Sequence, residues 1–332
     1  STNDSYPTAI KVALLVRNDK LIAELQKLSA SFRAKGDAYI EIVKMGRTEL
    51  QDAVPMTVGQ EFHAFASSLD DEIAGLKDAE KSLYAINMGA TAIGTGINVP
   101  KGYAEKCAAH LAKITGKPIV PASDMLAATW DQRGFVAYSA ALKSVAIKLS
   151  KISGDLILLT SGPRAGLSEI DLPALQPGSS IMPGKVNPVV PEVVNLVAFR
   201  VMGNDYVTTL AAHSGQLQLN AYEPVEGLAM IESQHLLFNT SILFRTKCVD
   251  GINVNEKVLA HYMETTVGIV TALNPVLGYE KSTELAQEAY KSGKGILEII
   301  REKKVLTEAQ IKDLLDPVKL TNLDKSKYQQ AK

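Results

Sequence analysis

Cysteine and aromatic residues are scarce in this sequence of 332 residues. The two cysteines, Cys107 and Cys248, stand far apart and belong to no Cys-x-x-Cys or cysteine-plus-histidine pattern, and the five histidines show no metal-ligand spacing. A disulfide framework and a zinc site are therefore not indicated. No apolar run reaches the roughly 18 residues that a membrane-spanning helix needs. We expect a cytoplasmic protein that has no membrane as a partner.

The charges are balanced, with 35 Lys and Arg residues against 36 Asp and Glu residues. Without an excess of positive charge, the sequence gives no electrostatic reason to expect nucleic acid as a partner. Apolar residues make up 46% of the chain, as in ordinary globular proteins. The composition favours a globular protein that binds a small molecule.

Apolar residues recur at helical spacing along most of the chain. The first pattern predicts a helix that is interrupted near Asn18, and its apolar positions are Ile10, Leu14, Leu21, Leu25 and Leu28. Further long helices are predicted over residues 60–84, 189–212 and 224–247. Shorter helices are predicted over residues 281–292, 295–303 and 307–315, the last opened by a capping box from Thr307 to Gln310.

The predicted fold class is all-α, because no alternation of strands and helices indicates a parallel sheet. We expect a long central helix bundle over residues 1–250 and a small helical C-terminal domain over residues 251–332. Helices of 20 or more residues span about 30 Å, which favours a bundle that packs in an oligomer. The long segment 161–191 is rich in Gly and Pro and is predicted to be a functional loop, with a structural connector as the alternative.

Segment 178–188 reads GSSIMPGKVNP and combines adjacent serines, a lysine and an Asn-Pro pair before a long helix. The N-terminal end of a helix attracts anions, so these residues suit a carboxylate substrate. A serine hydroxyl can act as a base only where dipoles and cations stabilise its alkoxide, and Lys185 and the loop amides could do so. Taken alone, the segment could equally be a flexible loop that caps a helix.

The same segment resembles the signature of the aspartase/fumarase superfamily of homotetrameric lyases, at every defining position. The resemblance extends over essentially the whole chain and includes segments 1–4 (STND), 45–53 (MGRTELQDA), 162–166 (GPRAG), 215–220 (GQLQLN) and 223–224 (EP). The segments at 162–166 and 215–220 are more similar to the aspartase branch than to fumarases. STND resembles the first shared region without its front edge, so we expect that an N-terminal part of the family chain is missing.

The resemblance implies a role for each matched residue. Ser179 matches the base that removes the Cβ proton of L-aspartate, on a mobile loop, and its neighbour Ser180 matches a substrate-binding residue. The α-carboxylate would be held by Lys185, Asn187 and Thr48, and the other carboxylate and the amino group by Ser1, Thr2 and Asn3. The resemblance also implies a homotetramer whose active sites are shared between subunits, the substrate pair L-aspartate and fumarate, and no cofactor.

Glu49 is the departure from the family pattern, because histidine or glutamine usually follows Gly-Arg-Thr there. A carboxylate would repel malate but attract the ammonium of aspartate, so we hypothesise that Glu49 binds substrate and favours an amine leaving group. The alternative is a surface carboxylate that faces solvent or pairs with a lysine.

Two other functions stay open at this point. A fumarate hydratase is disfavoured by segment 215–220 and by Glu49 in place of histidine. A non-catalytic helical scaffold is disfavoured by the intact set of Ser179, Lys185 and Asn187, although a missing N-terminal region would impair the pocket.

Overall fold

The computed structural model describes residues 1–329 and is mainly helical, which confirms the predicted class. The helices are α1 Thr2–Ala38, α2 Val58–Glu80, α3 Tyr103–Thr115, α4 Met125–Ala128, α5 Arg133–Leu159, α6 Val189–Ser214, α7 Glu223–Lys247, α8 Glu256–Thr265, α9 Val270–Leu277, α10 Tyr279–Ser292, α11 Ile296–Glu302, α12 Glu308–Leu314, α13 Pro317–Thr321 and α14 Ser326–Gln329. The strands are β1 Val43–Thr48, β2 Gln51–Thr57, β3 Ala85–Ile86, β4 Val120–Pro121, β5 Ile170–Asp171 and β6 Asn253–Val254.

The chain divides into two compact units. Unit 1 comprises Ser1–Ser29, Ser67–Asp155 and Gly178–Cys248, and unit 2 comprises Ala30–Ala66, Leu156–Pro177 and Val249–Lys332. These boundaries cut through α1, α2 and α5. The division into residues 1–250 and 251–332, made from the sequence, stays a prediction.

Unit 1 is a set of long helices, in which α6 and α7 pack as an antiparallel pair. The predicted interruption of the first helix near Asn18 is wrong, since α1 runs without a break. Asn18 is fully buried, donates to Glu80 Oε2 over 2.7 Å and accepts from the Tyr138 hydroxyl over 2.7 Å. Because these tertiary bonds satisfy its amide, the side chain does not compete with the helical backbone.

Helix α5 was not delimited from the sequence, although its pattern is clear once the burial is known. Its buried positions recur at helical spacing and are Phe135, Tyr138, Leu142, Val145, Leu149, Ile152 and Leu156. That stripe faces the interior of the fold, as an amphipathic helix requires. The same periodicity in the sequence would have found it.

Unit 2 contains the antiparallel hairpin β1–β2 and the C-terminal helices. The predicted helices of this region are confirmed as α10, α11 and α12, and the capping box of Thr307 and Gln310 is present. Their core is apolar and includes Met45, Leu273, Leu285, Ile296, Ile300 and Ile311. Met45 belongs to β1, so the hairpin packs into the same core as these helices.

Candidate active site

Segment 178–188 forms a closed loop immediately before α6. Gly178 N donates to Lys185 O over 2.7 Å, and Asn187 Nδ2 donates to Gly178 O over 3.1 Å. A Cβ atom at position 178 would lie 2.7 Å from Lys185 O, which explains why glycine stands there. The two ends of the loop are thereby fixed against each other.

A tight turn at Pro183 and Gly184 lies inside this loop. Lys185 N donates to Met182 O over 3.3 Å, and Gly184 has a φ of 80°. Proline at the second position and glycine with positive φ at the third are typical of a type II turn. The sequence therefore encodes the reversal that leads the chain from the serines to Lys185.

Ser179 is half-buried, and its hydroxyl oxygen accepts two backbone hydrogen bonds. Ile181 N donates to Ser179 Oγ over 3.2 Å and Met182 N over 3.1 Å. Donors aimed at an oxygen stabilise negative charge on it, so this arrangement lowers the cost of forming the alkoxide. The neighbouring Ser180 is exposed.

Two further predicted binding residues lie on the same loop. Lys185 is exposed, and Asn187 is half-buried at the entrance to α6. Helix α6 begins at Val189 and extends for 26 residues, so its N-terminal end carries a partial positive charge. Both this end of the helix and the lysine favour an anionic ligand.

Asn3 is buried at the start of α1, and its amide nitrogen is fully engaged. Asn3 Nδ2 donates to Ala92 O over 2.6 Å and to Gln218 O over 3.1 Å. Asn3 Oδ1 is also buried but has no hydrogen-bond partner among residues 1–329. This side chain therefore presents an acceptor, which suits a cationic ammonium better than a carboxylate. The adjacent Ser1 and Thr2 are exposed.

Pro7 explains how the start of α1 joins the neighbouring loop. Proline has no N–H, so the carbonyl four residues earlier, that of Asn3, loses its helical donor. Asn87 Nδ2 replaces that donor at 2.9 Å. Asp4 Oδ2 accepts from Gly89 N over 3.1 Å and from Thr91 N over 3.3 Å, so these loop amides hold a carboxylate of the protein itself.

Thr48 and Glu49 lie in unit 2, at the exposed tip of the β1–β2 hairpin. Thr48 pairs with Gln51, and the two residues between them, Glu49 and Leu50, have φ values of 52° and 65°. Positive φ at both central residues is characteristic of a type I′ hairpin turn, in which Asn and Gly are the usual residues. Non-glycine residues there carry backbone strain, a property that is common at functional sites.

The structure connects only some of the predicted site residues. In unit 1, Asn3 contacts the segment 215–220 through Gln218 O, and Ser179, Lys185 and Asn187 share one loop. No hydrogen bond or ion pair among residues 1–329 links that loop to Ser1, Thr2 or Asn3. The assembly of all these residues into one pocket stays a prediction.

Comparisons with known proteins identify the family of the chain. A family model described as lyase matches residues 1–203, and a model described as fumarase C C-terminus matches residues 269–322. An aspartate ammonia-lyase of Pseudomonas canavaninivorans is 52% identical over 318 residues, which cover 96% of this chain and 67% of that protein. The chain belongs to this lyase family.

Solved structures show the same relationship for the fold. The crystal structure of fumarate lyase:delta crystallin from Brucella melitensis matches with a TM-score of 0.91 and 46% identity, covering 96% of this chain and 69% of that one. The class II fumarase of Schistosoma mansoni matches with a TM-score of 0.89 and 34% identity, covering 96% of this chain and 70% of that one. The lyase chain thus spans about two thirds of the length of these relatives.

The lyase also buries two carboxylates in the first turn of α7, to which the sequence analysis assigned no role. Glu223 is 5% exposed and accepts from Gln132 Nε2 over 2.8 Å, while Glu226 is fully buried and lies 3.5 Å from Asn220 Nδ2. Burial, together with the charge of Glu223, raises the pKa of Glu226 to about 8. Burial also raises the pKa of Glu223 and lowers that of Lys11. The Glu-Pro pair at the start of α7 was the available signal.

Residues 1–329 of the lyase lack two features, a membrane-spanning helix and a cluster of metal ligands. No helix in that range is long and apolar enough to cross a membrane. Within the same range, no three His, Cys, Asp or Glu side chains are grouped as a metal site would require.

Proposed function

We propose that this chain catalyses the reversible deamination of L-aspartate to fumarate and ammonia by anti β-elimination, with Ser179 as the general base. The observation that carries the proposal is the loop 178–188, in which two backbone amides donate to Ser179 Oγ. Aspartate ammonia-lyases that are about half identical to this chain support the choice of substrate. The Ser179 alkoxide takes the Cβ proton and becomes the hydroxyl, and the electron pair of the C–H bond moves into the adjacent carboxylate before ammonia departs from Cα.

The difficult step is removal of the Cβ proton, because the neighbouring carboxylate must accept a second negative charge. Donors aimed at this developing charge lower the barrier more than they stabilise the substrate. Lys185, Asn187, Ser180 and Thr48 are the donors that we assign to the carboxylates, together with Ser1 and Thr2 at the start of α1. The scheme balances without a cofactor, since the departing nitrogen keeps the electron pair of the broken C–N bond.

The acceptor geometry of Asn3 supports binding of the substrate ammonium. Its Nδ2 is occupied by two carbonyls, and the buried Oδ1 has an unused acceptor position within the described part of the chain. An ammonium group would supply the missing donor, whereas the hydroxyl of malate would do so with less charge. The geometry of Asn3 therefore favours an amine over an alcohol as the leaving group.

Glu49 provides the second proposed contact to the ammonium. Glu49→Gln is expected to raise the KM for L-aspartate about tenfold with a smaller change in kcat, because a charge-assisted contact of about 1.4 kcal/mol is lost. Steady-state kinetics of Glu49→Gln and of a control variant measure this change. Glu41→Gln, which alters another exposed carboxylate of unit 2, serves as the control. An unchanged KM in Glu49→Gln would contradict a role in binding and leave Glu49 as a solvated turn residue.

The proposed homotetramer is supported by apolar side chains that remain exposed on α6 and α7. They recur at helical spacing and are Val193, Leu196, Phe199, Tyr206, Leu210, Val225 and Leu228. An exposed apolar stripe of this length marks a surface that is buried in an assembly.

We expect light scattering after gel filtration to give four chains per particle. The double variant Leu196→Glu/Leu228→Glu is expected to form particles of fewer chains. A parent chain that is monomeric at micromolar concentration would contradict the tetramer.

Fumarate hydratase is the second candidate, and a silent scaffold is the third. The match to a class II fumarase structure keeps the hydratase open, whereas Glu49 and the segment 215–220 favour the deaminase. Supplying L-malate and L-aspartate separately and following the ultraviolet absorbance of fumarate distinguishes the three. Product from malate alone would establish the hydratase, and no product from either would favour the scaffold.

A further inference from the structure

A buried cluster of charged side chains lies beneath the β1–β2 hairpin in unit 2. Lys44 Nζ lies 2.8 Å from Glu169 Oε2 and 2.8 Å from Glu61 Oε2, and Arg47 Nη1 lies 2.5 Å from Glu169 Oε1. Glu169 is 1% exposed and Lys44 is 3% exposed. Two positive and two negative charges balance, so each buried charge depends on its partners.

A β-bulge of the hairpin lies between the positions of the two cations. Residues 44 and 47 are separated by three positions, so in a regular strand their side chains would point to opposite faces. The register of the hairpin shifts between Met45 and Arg47, where two residues of β2, Ala53 and Val54, lie opposite the single residue Gly46 of β1. Both cations nevertheless reach Glu169, each at a different carboxylate oxygen. Gly46 occupies the shift, where a Cβ atom would lie 2.8 Å from Val54 O.

The backbone of Glu169 is held on both sides. Glu169 N donates to Leu159 O, and Asn255 N donates to Glu169 O, both over 2.9 Å. The next two residues form β5, which pairs with β6. Arg47 has an additional contact, since its guanidinium lies 5.7 Å from the centre of the Tyr262 ring. Glu169 is therefore a fixed anchor, to which the hairpin is attached through its first strand.

Arg47, which is bound to Glu169, lies directly before the proposed substrate contacts in the sequence. Arg47 precedes Thr48 by one residue and Glu49 by two, and the turn that carries them has positive φ at Glu49 and Leu50. A turn in this sparsely populated conformation persists only where its surroundings hold it. The tip itself is exposed, so the restraint must come from the strands below it.

We infer that Glu169 is a positioning residue that fixes Thr48 and Glu49 for substrate binding by anchoring Lys44 and Arg47 on either side of the β-bulge. The inference rests on the proposed deamination of aspartate. Glu169 does not touch the substrate in this scheme and acts only through the hairpin. A displacement of about 1 Å at a contact residue can lower catalytic efficiency by as much as about a hundredfold.

The test compares Glu169→Gln with Glu61→Gln. Both remove one carboxylate from Lys44, but only the first also removes the partner of Arg47. Glu169→Gln is expected to lower kcat/KM for L-aspartate about ten- to hundredfold, mainly through KM, whereas Glu61→Gln stays within about twofold. Glu169→Asp, which keeps the charge at a shorter reach, should fall between them and replaces Glu169→Gln if circular dichroism shows that variant unfolded.

Hydrogen–deuterium exchange provides a readout that does not depend on activity. Peptides that cover residues 43–57 should exchange faster in Glu169→Gln than in Glu61→Gln, while peptides of α6 and α7 should not differ. Equal kinetics and equal exchange in the two variants would overturn the inference. If the parent chain has no activity on aspartate, the proposed function fails, and the exchange comparison still decides whether Glu169 anchors the hairpin.

Discussion

Ser179→Ala is expected to lower kcat for L-aspartate by about a thousandfold, with little change in KM. A positioned general base contributes about 10²–10⁴-fold, and the Oγ that accepts from Ile181 N and Met182 N is the proposed base. The substitution also removes the acceptor of these two amides. Water can hydrogen-bond to them, because Ile181 and Met182 are exposed, so the fold should be retained.

Ser180→Ala is the matched control for Ser179→Ala. It removes a hydroxyl from the next residue of the same loop, and we expect a loss of about tenfold that arises mainly in KM. Steady-state kinetics of fumarate formation measure both variants, with circular dichroism as the check on folding. Comparable kcat values for Ser179→Ala and the parent chain would exclude Ser179 as the base.

Glu226→Gln is expected to stabilise the protein at alkaline pH and to have little effect at acidic pH. The pKa of Glu226 is raised to about 8 from an ordinary value of 4.5, first by burial and then by Glu223. The folded protein therefore holds the proton more tightly than the unfolded chain. The stability that the proton provides is complete below pH 4.5 and is lost as the pH rises towards 8. The amide of glutamine does not ionise in this range, so Glu226→Gln does not lose this stability as the pH rises.

Denaturant unfolding at pH 5.5 and pH 9 measures this difference. We expect the free energy of unfolding of Glu226→Gln to exceed that of the parent by about 2–4 kcal/mol at pH 9, and by much less at pH 5.5. Glu232→Gln on the same helix is the control, because hydrogen bonding to Asn204 lowers the pKa of Glu232. Its effect should be the same at both pH values. A difference for Glu226→Gln that does not change with pH would show that Glu226 is ionised in the fold.

The helical part of the fold could be predicted because its causes are local. Periodic apolar residues predicted α2, α6 and α7, and a capping box predicted α12. The hairpin β1–β2 was missed, because its turn residues Glu49 and Leu50 are not the Asn-Gly type that indicates a type I′ turn. The apparent break at Asn18 was wrong, because its partners Glu80 and Tyr138 are distant in sequence.

The candidate site was predictable to a similar extent. Pro183 and Gly184 encode the turn of the signature loop, and the adjacent serines are visible in the sequence. The hydrogen bonds of Asn3 to Ala92 and Gln218 could not be predicted, nor could the pairing of Arg47 with Glu169, 122 residues away. Such contacts depend on tertiary structure, and no local pattern encodes them.

The central claim is that the chain removes ammonia from L-aspartate by proton abstraction at Ser179. The most direct test measures fumarate and ammonia together after L-aspartate is added to the purified 332-residue chain, with Ser179→Ala in parallel. The proposed mechanism predicts equal amounts of both products from the parent chain and almost none from the variant. Equal product yields from the two proteins, or no ammonia from the parent chain, would contradict it.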